Sequence, residues 1–307
     1  MKPRIEAFYH ENTSTISYVV YDQSGGHAAV IDSVLDFSAN SGKVWTAFAD
    51  KQLAFIRDHQ LTVDWILETH AHADHLSAAH YLRQQLNSKI GVGAGITKVQ
   101  KTFKLVFNID DAELSANGEV FDHLFQDNET FQIGPLQGQI LATPGHTNDS
   151  VTYLIEGNAF VGDTLFMPDG GTARCDFPGG DAGVLFDSVN RLHHLPPDTR
   201  LWMCHDYQPG GRELAYVTTV AESARSNIHL HEGIARGDFI TVRENRDKTL
   251  DVPQLLYPSV QVNIRGGQMP AAETSQTAYL KIPLSLSSSY VSPDNSKLKS
   301  EKGGSSS

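Results

Sequence analysis

The sequence has no long apolar run. No stretch of about eighteen or more apolar residues, the threshold for a helix that spans a bilayer, occurs among its 307 residues. The N-terminal segment MKPRIEAFYHENTSTISYVV also lacks a charged head followed by an apolar region and a small-residue cleavage site. These absences predict a protein without membrane contact and with a cytoplasmic location.

Cysteine and basic residues are scarce. Two cysteines, Cys175 and Cys204, cannot build a disulfide framework. The 24 Lys and Arg residues are outnumbered by 36 Asp and Glu residues, which gives a net charge of −12. Because no basic block interrupts this acidic balance, nucleic acid is not an expected partner. The charge pattern favours a small substrate.

Apolar periodicity predicts an α/β layered fold. The β-branched runs ISYVVYD and HAAVIDS precede a helical pattern in KVWTAFADKQLAFIRDHQ and a buried strand, VDWILET. The segment LSAAHYLRQQL is expected to form a helix that starts at Asp74 and His75. The middle of the chain repeats the scheme, with strands in QGQILATPGHT, SVTYLIEGN, NAFVGDTLF and RLWMCHD and a helix in VLFDSVNRLHHL. Strands interleaved with helices favour a layered α/β domain.

The last third is expected to be an appendage. A second helical region is predicted at about residues 212–236, followed by an irregular extension that contains Pro and Gly. We divide the chain into a main domain at 1–230, an extension packed on it at 231–290 and a disordered tail at 291–307. The tail is Ser-rich, polar and aperiodic.

Histidine is abundant, with fourteen residues, and three stand in one run. Residues 69–75, Thr-His-Ala-His-Ala-Asp-His, follow directly after an apolar strand. The carboxyl end of a strand is where α/β proteins place their sites. A turn there can aim His70 and His72 the same way, so that four ligand-type side chains converge. An isolated pair would equally fit surface histidines in a loop.

Three further strand ends carry ligand-type residues. They are His146 after Thr-Pro-Gly, Asp163 in Gly-Asp-Thr, and His205 after Cys204. Cys204 itself is expected to be buried and turned away, because neighbouring strand residues point to opposite faces. So many strand ends with ligand-type residues are not expected in a structural protein. The set predicts a metal centre built from His70, His72, Asp74, His75, His146, Asp163 and His205.

These motifs resemble the metallo-β-lactamase superfamily over about residues 1–210. Its His-x-His-x-Asp-His signature matches residues 70–75, and its later His, Asp and His ligands match His146, Asp163 and His205. The resemblance implies an α/β (α+β) fold, a four-layer αββα sandwich with the site at the sheet edges and a C-terminal extension. Because the same scaffold hosts many reactions, the fold does not fix the chemistry.

Within that superfamily, the phrases Thr-His-Ala-His-Ala-Asp-His, Thr-Pro-Gly-His-Thr and Gly-Asp-Thr-Leu-Phe look like the glyoxalase II and persulfide dioxygenase branch. Persulfide dioxygenases hold one Fe(II) on two histidines and one aspartate, which match His70, His146 and Asp163. The resemblance then implies that the remaining residues orient these ligands from outside the coordination sphere. They are His72, Asp74, His75 and His205.

The alternative within the branch is a hydrolase. Glyoxalase II holds two metals bridged by the equivalent of Asp163 and cleaves a glutathione thioester. For this chain it would imply a second metal site at His72, Asp74, His75 and His205, with two zinc ions or a mixture of zinc, iron and manganese. A lactone is a further substrate class for such a hydrolase. The extension after residue 230 lacks an evident Arg/Lys cluster equivalent to glyoxalase II's glutathione-binding tail, which counts against the thioesterase.

The loop after Asp163 favours the dioxygenase. Its segment Arg174-Cys175-Asp176-Phe177 resembles the dioxygenases' Arg-Thr-Asp-Phe, in which the arginine faces the substrate. The catalytic candidates are therefore Asp74 and Arg174, and the substrate-binding candidates are Arg174, Cys175 and Phe177. In the alternative interpretation, Arg174 pairs with Asp176 or Asp181 in a polar loop, and Cys175 is an inert small hydrophobe.

The function that the resemblance implies is a dioxygenase with one Fe(II) per chain. It would oxidise glutathione persulfide, or a similar low-molecular-weight persulfide, to sulfite. Its partners would be O₂ and the thiol-derived substrate. The sequence leaves open whether the protein forms a homodimer.

Overall fold

The structure, a computed structural model, describes residues 2–273 and 276–287. The strands are β1 (Arg4–His10), β2 (Thr15–Tyr21), β3 (His27–Ile31), β4 (Val34–Ser38), β5 (Lys43–Trp45), β6 (Thr62–Glu68), β7 (Leu76–Ser77), β8 (Lys89–Gly93), β9 (His123–Phe125), β10 (Thr130–Ile133), β11 (Leu136–Ala142), β12 (Val151–Ile155), β13 (Asn158–Phe160), β14 (Arg200–Trp202) and β15 (Val217–Thr219). The helices are α1 (Ala47–Asp58), α2 (Ala79–Leu86), α3 (Ile96–Phe107), α4 (Ala182–His193), α5 (Val220–Ser226), α6 (Arg236–Asp247) and α7 (Leu256–Asn263). The tail predicted at 291–307 lies outside the described residues.

Two sheets pack face to face. The first has the strand order β1-β2-β3-β6-β8-β9 and the second the order β10-β11-β12-β13-β14-β15. Strand β2 is buried on both faces, and its side chains alternate between two cores. Ile16, Tyr18 and Val20 face the second sheet, whereas Val19 and Tyr21 face the helices on the other side.

Helices cover the outer face of each sheet. Apolar residues of α1, α2, α3 and α7 form one core with the first sheet, and those of α4, α5 and α6 form another with the second sheet. A third core fills the space between the sheets. The four-layer αββα sandwich that the resemblance implied is therefore confirmed.

Several predicted boundaries are wrong. Helix α1 begins at Ala47, because Lys43–Trp45 pairs with β4 as a strand. The helix predicted to start at Asp74 and His75 begins instead at Ala79. Leu76 and Ser77 pair with Leu35 and Val34 in the short sheet β5-β4-β7. Pairing between segments distant in the sequence thus overrides the local helical pattern.

The C-terminal third is more helical than predicted. Of the helix expected at about 212–236, only α5 forms, preceded by β15 and followed by a non-helical segment. Helices α6 and α7 occupy the segment expected to be irregular. Helix α3, not predicted, buries Ile96, Val99, Phe103 and Phe107 on one face.

The end of the chain packs on the first sheet's helical layer. Val260 and Val262 of α7 join the core that α1, α2 and α3 form. Arg265 donates to the Gln261 carbonyl (2.6 Å) and lies 3.6 Å from Glu113, so it ties the extension to the main domain. The division at residue 230 stays a prediction. Among the described residues, no helix has both the length and the apolar character needed to cross a membrane.

Candidate metal centre

Asp32 organises the histidine run at the end of β6. Its carboxylate accepts from the Thr69 amide (2.7 Å) and hydroxyl (3.0 Å), and it lies 3.0 Å from His72 Nε2. Asp32 is only 2% exposed. A buried carboxylate with several donors fixes the course of a loop, because leaving it unpaired is costly. The loop after Glu68 therefore leaves the strand in one defined direction.

Two glycines allow the other ligand-bearing loops to approach. Gly162 has φ +53°, and a Cβ there would lie 2.6 Å from Thr69 Oγ1. Gly145 has φ +133°, and a Cβ there would lie 2.4 Å from the Leu185 backbone nitrogen. Both the positive φ and the close contact require glycine. Asp163 and His146 follow these glycines directly.

The structure brings the seven predicted ligands together in two groups. The ligand atoms of His70, His146 and Asp163 all lie within 4.8 Å of one another. The second group, whose ligand atoms meet the same limit, consists of His72, Asp74, His75 and His205. Asp163 lies between the groups: its Oδ2 is 3.8 Å from His70 Nε2, and its Oδ1 is 3.3 Å from His205 Nε2.

In the part of the chain that the structure describes, five atoms that face the centre have no hydrogen-bond partner. These buried, unpartnered atoms are His70 Nε2, His72 Nδ1, His75 Nε2, His205 Nε2 and Asp163 Oδ1. Burying polar atoms without partners costs free energy. A cation would be coordinated by these lone pairs and would offset that cost. The residues therefore fit a metal.

The opposite ring nitrogens are held in place. His146 Nδ1 donates to the Arg174 carbonyl (2.7 Å), and His205 Nδ1 donates to the Ser14 carbonyl (3.2 Å). Since a carbonyl only accepts, these bonds fix the tautomer that leaves Nε2 free as a ligand. In His72 the roles of the two nitrogens are exchanged. Its Nε2 bonds to Asp32, which leaves Nδ1 free as a ligand.

Charge in the centre favours metal binding at neutral pH. Burial, together with neighbouring His72, lowers the pKa of His70 well below its usual value. Burial, together with His75, does the same to the pKa of His72. Burial alone would raise the pKa of Asp74, but His205 and His75 hold it well below its usual value. Neutral imidazoles and an ionised carboxylate are the forms that ligate metals.

Cys204 is 1% exposed, as expected. The expectation that it turns away from the centre is wrong, because its Sγ lies within 4.8 Å of ligand atoms of Asp163 and His205. Strand β14 ends at Trp202, so strand alternation does not govern the next two residues. Burial raises the pKa of the Cys204 thiol well above its usual value, which keeps it in the protonated, poorly ligating form.

A cleft of about 400 Å³ opens onto the first group. Its lining includes Asp74, His146 and Asp163 together with Arg174 and Phe177. Cys175 is not part of this lining: it is 8% exposed, and burial raises its thiol pKa to about 12. An unreactive thiol agrees with the alternative interpretation of Cys175.

Arg174 both lines the cleft and is paired. Its guanidinium donates two bonds to the Asp176 carboxylate (2.6 and 2.7 Å) and one to the Asp251 carbonyl (2.7 Å). It also lies 4.8 Å from the centre of the Phe177 ring. The ion pair with Asp176 is the one that the alternative interpretation named. Asp181 instead caps α4 by accepting from the Val184 amide.

Helix α6 and the loop after it supply cleft residues that sequence reasoning missed. They are Arg243, Arg246, Leu250, Asp251 and Pro253. Whether these two arginines are equivalent to glyoxalase II's glutathione-binding tail stays open, so the expectation that the extension lacks such a cluster stays a prediction. The sequence does contain a signal for them: Arg243 and Arg246 are three residues apart, which places both side chains on one face of a helix. It was missed because α6 has few apolar residues and was not predicted.

Known proteins resemble the chain over most of its length. A probable metallo-hydrolase from Burkholderia pseudomallei is 48% identical and covers 91% of this chain and 98% of that protein. Glyoxylase B2 from Dictyostelium discoideum is 46% identical, and the match covers 92% of this chain and 97% of that protein. The human mitochondrial persulfide dioxygenase ETHE1 is 29% identical, and the match covers 84% of this chain and 87% of that protein. The crystal structure of ETHE1 from Myxococcus xanthus matches with a TM-score of 0.68 and 29% identity, covering 87% of this chain and all of that one.

The family model of the metallo-β-lactamase superfamily matches residues 12–205. That range contains all seven residues of the two ligand groups. The chain therefore belongs to the metallo-β-lactamase superfamily of metal-dependent enzymes, in the branch that includes the persulfide dioxygenases.

Proposed function

We propose that this protein is a persulfide dioxygenase with one Fe(II) held by His70, His146 and Asp163. The observation that carries the proposal is the grouping of these three side chains, two of which, His146 and Asp163, line the cleft. Two histidines and one carboxylate on one side of a metal leave its other positions open, as in non-haem iron oxygenases. The similarity to ETHE1 over 84% of the chain supports the same assignment.

The reaction needs two substrates at one centre. A persulfide, O₂ and water give a thiol, sulfite and two protons: the S–S bond breaks, the outer sulfur gains three oxygen atoms, and O₂ takes up its four electrons. When bound, Fe(II) supplies the redox chemistry that a zinc ion lacks. The protein's part is to orient the persulfide in the cleft so that O₂ and water can reach its outer sulfur.

In this proposal the second group is not coordinated. His205 Nε2 instead lies 3.2 Å from Asp74 Oδ2 and 3.3 Å from Asp163 Oδ1. Burial alone would lower the pKa of His205, but Asp74 and Asp163 raise it. A positive His205 would neutralise part of the charge of both carboxylates. The other oxygen of Asp163, Oδ2, faces His70 of the first group.

A dinuclear hydrolase is the second candidate. The observation that favours it is the second group itself, whose four ligand atoms converge as closely as the first. Asp163, with one oxygen toward each group, is suited to bridge two metals. The resemblance to a probable metallo-hydrolase and to glyoxylase B2 supports this candidate. Its substrate would be a glutathione thioester or a lactone.

Metal content and oxygen uptake distinguish the two candidates. The protein is purified anaerobically, its metals are measured by mass spectrometry, and oxygen is recorded after addition of glutathione persulfide. About one iron per chain with substrate-dependent oxygen uptake is the expected result. Two metals per chain, no oxygen uptake and hydrolysis of S-lactoylglutathione would replace the proposal with the hydrolase.

A further inference from the structure

A hydrogen-bonded row of side chains runs from the cleft to the end of β1. Thr13 lines the cleft, and its Oγ1 lies 2.8 Å from His10 Nδ1. On the other side of the ring, His10 Nε2 lies 3.4 Å from Asp36 Oδ1. The side chains of His10 and Asp36 are each 8% exposed. A hydroxyl, an imidazole and a carboxylate are thus joined in sequence, and none of them belongs to the two ligand groups.

The carboxylate sets the direction of these hydrogen bonds. Because an ionised Asp36 only accepts, His10 Nε2 donates to it, and His10 Nδ1 is left as an acceptor. The Thr13 hydroxyl therefore donates to His10. One lone pair of Thr13 Oγ1 can accept from the Thr15 hydroxyl, 2.7 Å away, and the other can accept from a group in the cleft. Each hydrogen in the row thus points away from the cleft and toward Asp36.

The turn between β1 and β2 holds the row in place. His10 pairs with Thr15 across the two strands, and the Thr13 amide donates to the His10 carbonyl (3.3 Å) inside the turn. The His10 ring packs edge-on against Phe48, with ring centres 4.9 Å apart. Asp36 also accepts from the Phe48 amide (2.8 Å). Both the imidazole and the carboxylate are therefore fixed from more than one side.

The far side of the row opens into a second cavity of about 590 Å³. His10 lines this cavity together with polar side chains that include Asn12, Ser38 and Asn40. A roomy space with polar walls favours water. The cleft and the cavity meet at Thr13, which lines both. A proton that reaches His10 can therefore pass to water outside the cleft.

His10 has the protonation state that an acceptor needs. Burial lowers the pKa of His10 below its usual value, and neighbouring His75 and Lys51 lower it further, whereas Asp36 raises it. The net effect leaves the imidazole neutral at neutral pH. A neutral imidazole can take up a proton and release it again.

From this geometry we propose that Thr13, His10 and Asp36 form a relay that removes a proton from the cleft during turnover. The Thr13 hydroxyl gives its proton to His10 Nδ1 as it accepts another from water or product in the cleft. His10, held by Asp36, then gives that proton to water in the second cavity. The relay rests on the proposed function only in that its reaction releases protons. Hydrolysis of a thioester at neutral pH releases one as well, so the relay serves either candidate reaction.

Kinetics of metal-loaded His10→Ala in dilute buffer test the relay. Its kcat should fall about a hundredfold, as for a lost acid–base group, while metal content and KM stay those of the wild type. Added 1,2-dimethylimidazole, a base too crowded to bind a metal readily, should restore most of the lost kcat. His27→Ala is the matched control, because His27 also pairs with an aspartate, Asp64 (2.9 Å), but lines neither space. Its kcat should equal that of the wild type with and without the base.

Two further variants separate proton transfer from shape. Thr13→Val should lose as much kcat as His10→Ala, without rescue by the base, and Thr13→Ser should recover most of that loss. Long-range proton–nitrogen NMR of the metal-free protein should show the Nε2–H tautomer of His10, and the Nδ1–H tautomer in Asp36→Asn. Wild-type kcat in His10→Ala, or a loss that the base does not restore, would overturn the relay. Absence of oxygen uptake by the wild type would count against the dioxygenase alone, and the same kinetics would then follow hydrolysis of S-lactoylglutathione.

Discussion

Asp163 is the residue on which both ligand groups depend, since its two oxygens face opposite groups. Asp163→Ala is therefore expected to abolish metal retention and activity under either candidate reaction. Metal content by mass spectrometry and turnover of both substrates check this. The control Asp198→Ala removes an exposed carboxylate and should leave both unchanged. A metal-loaded, active Asp163→Ala would refute the assignment of the centre.

Arg174 contributes to the site through two separable parts. Its main-chain carbonyl holds His146, and truncation of the side chain leaves that bond intact. Arg174→Ala should therefore retain its metal while KM rises about tenfold, because the cleft loses one of the side chains that line it. Arg200→Ala, an exposed site outside the cleft, is the control. Loss of metal in Arg174→Ala would mean that the side chain also shapes the loop.

His229 makes stability depend on pH. Burial, with Arg243 and Arg246 nearby, lowers its pKa from 6.5 to about 4, and its Nδ1 accepts from the Thr172 amide (2.9 Å). The pKa of His229 is lower in the folded protein than in the unfolded chain. Neutral His229 therefore contributes its full share to the free energy of unfolding above pH 6.5, and this share is lost as the pH falls through 4. His229→Asn keeps an acceptor but does not titrate. Urea unfolding measures how far the free energy of unfolding falls between pH 7 and pH 4, and this fall should be about 1–2 kcal/mol smaller in the variant than in the wild type. The same pH dependence in both proteins would contradict this prediction.

At the scale of elements, the sequence predicted best where a pattern is local. Strand β2 and helices α1 and α4 were predicted because their apolar periods are visible within a few residues. Strand β7 could not be predicted, since two residues have no period and their partner β4 lies about forty residues away in the sequence. Helix α6 was missed because its buried Arg243 and Asp247 satisfy each other, which the usual apolar signal does not reveal.

Helix α7 acts on the metal centre through its last residue. The Asn263 side chain donates to the His72 and His75 carbonyls and accepts from the Ser77 amide, each at 2.8 Å. Asn263→Ala leaves these buried groups unpaired, so the free energy of unfolding should fall by about 3 kcal/mol and metal affinity by roughly tenfold. Urea unfolding and metal titration measure the two effects.

The control is Asn245→Ala at an exposed position of α6, which should be neutral in both measurements. If Asn263→Ala lost stability but kept wild-type metal affinity, α7 would serve the fold alone. An unchanged stability would mean that water replaces the side chain.

For the whole molecule, the site was predictable because each ligand follows a strand, and strand ends gather at one edge of a layered sandwich. The same reason identifies His70, His146, Asp163 and His205 from the sequence alone. The cleft mouth was not predictable in this way. Arg246 and Asp251 come from the extension, and only the packing of α6 against α4 and the second sheet brings them to the cleft.

Two tyrosines join the sheets at the strand ends that carry ligands. Tyr18 of the first sheet donates to the Met203 carbonyl (2.5 Å), and Tyr153 of the second donates to the Glu68 carbonyl (2.8 Å). Both side chains are fully buried. Tyr18→Phe and Tyr153→Phe should each lower the free energy of unfolding by about 1–3 kcal/mol, because a buried carbonyl loses its donor. Tyr81→Phe, whose hydroxyl bonds to Asp50 at the surface, should cost under about 0.5 kcal/mol. Equal losses in all three variants would show that the cross-sheet bonds add nothing beyond an ordinary surface contact.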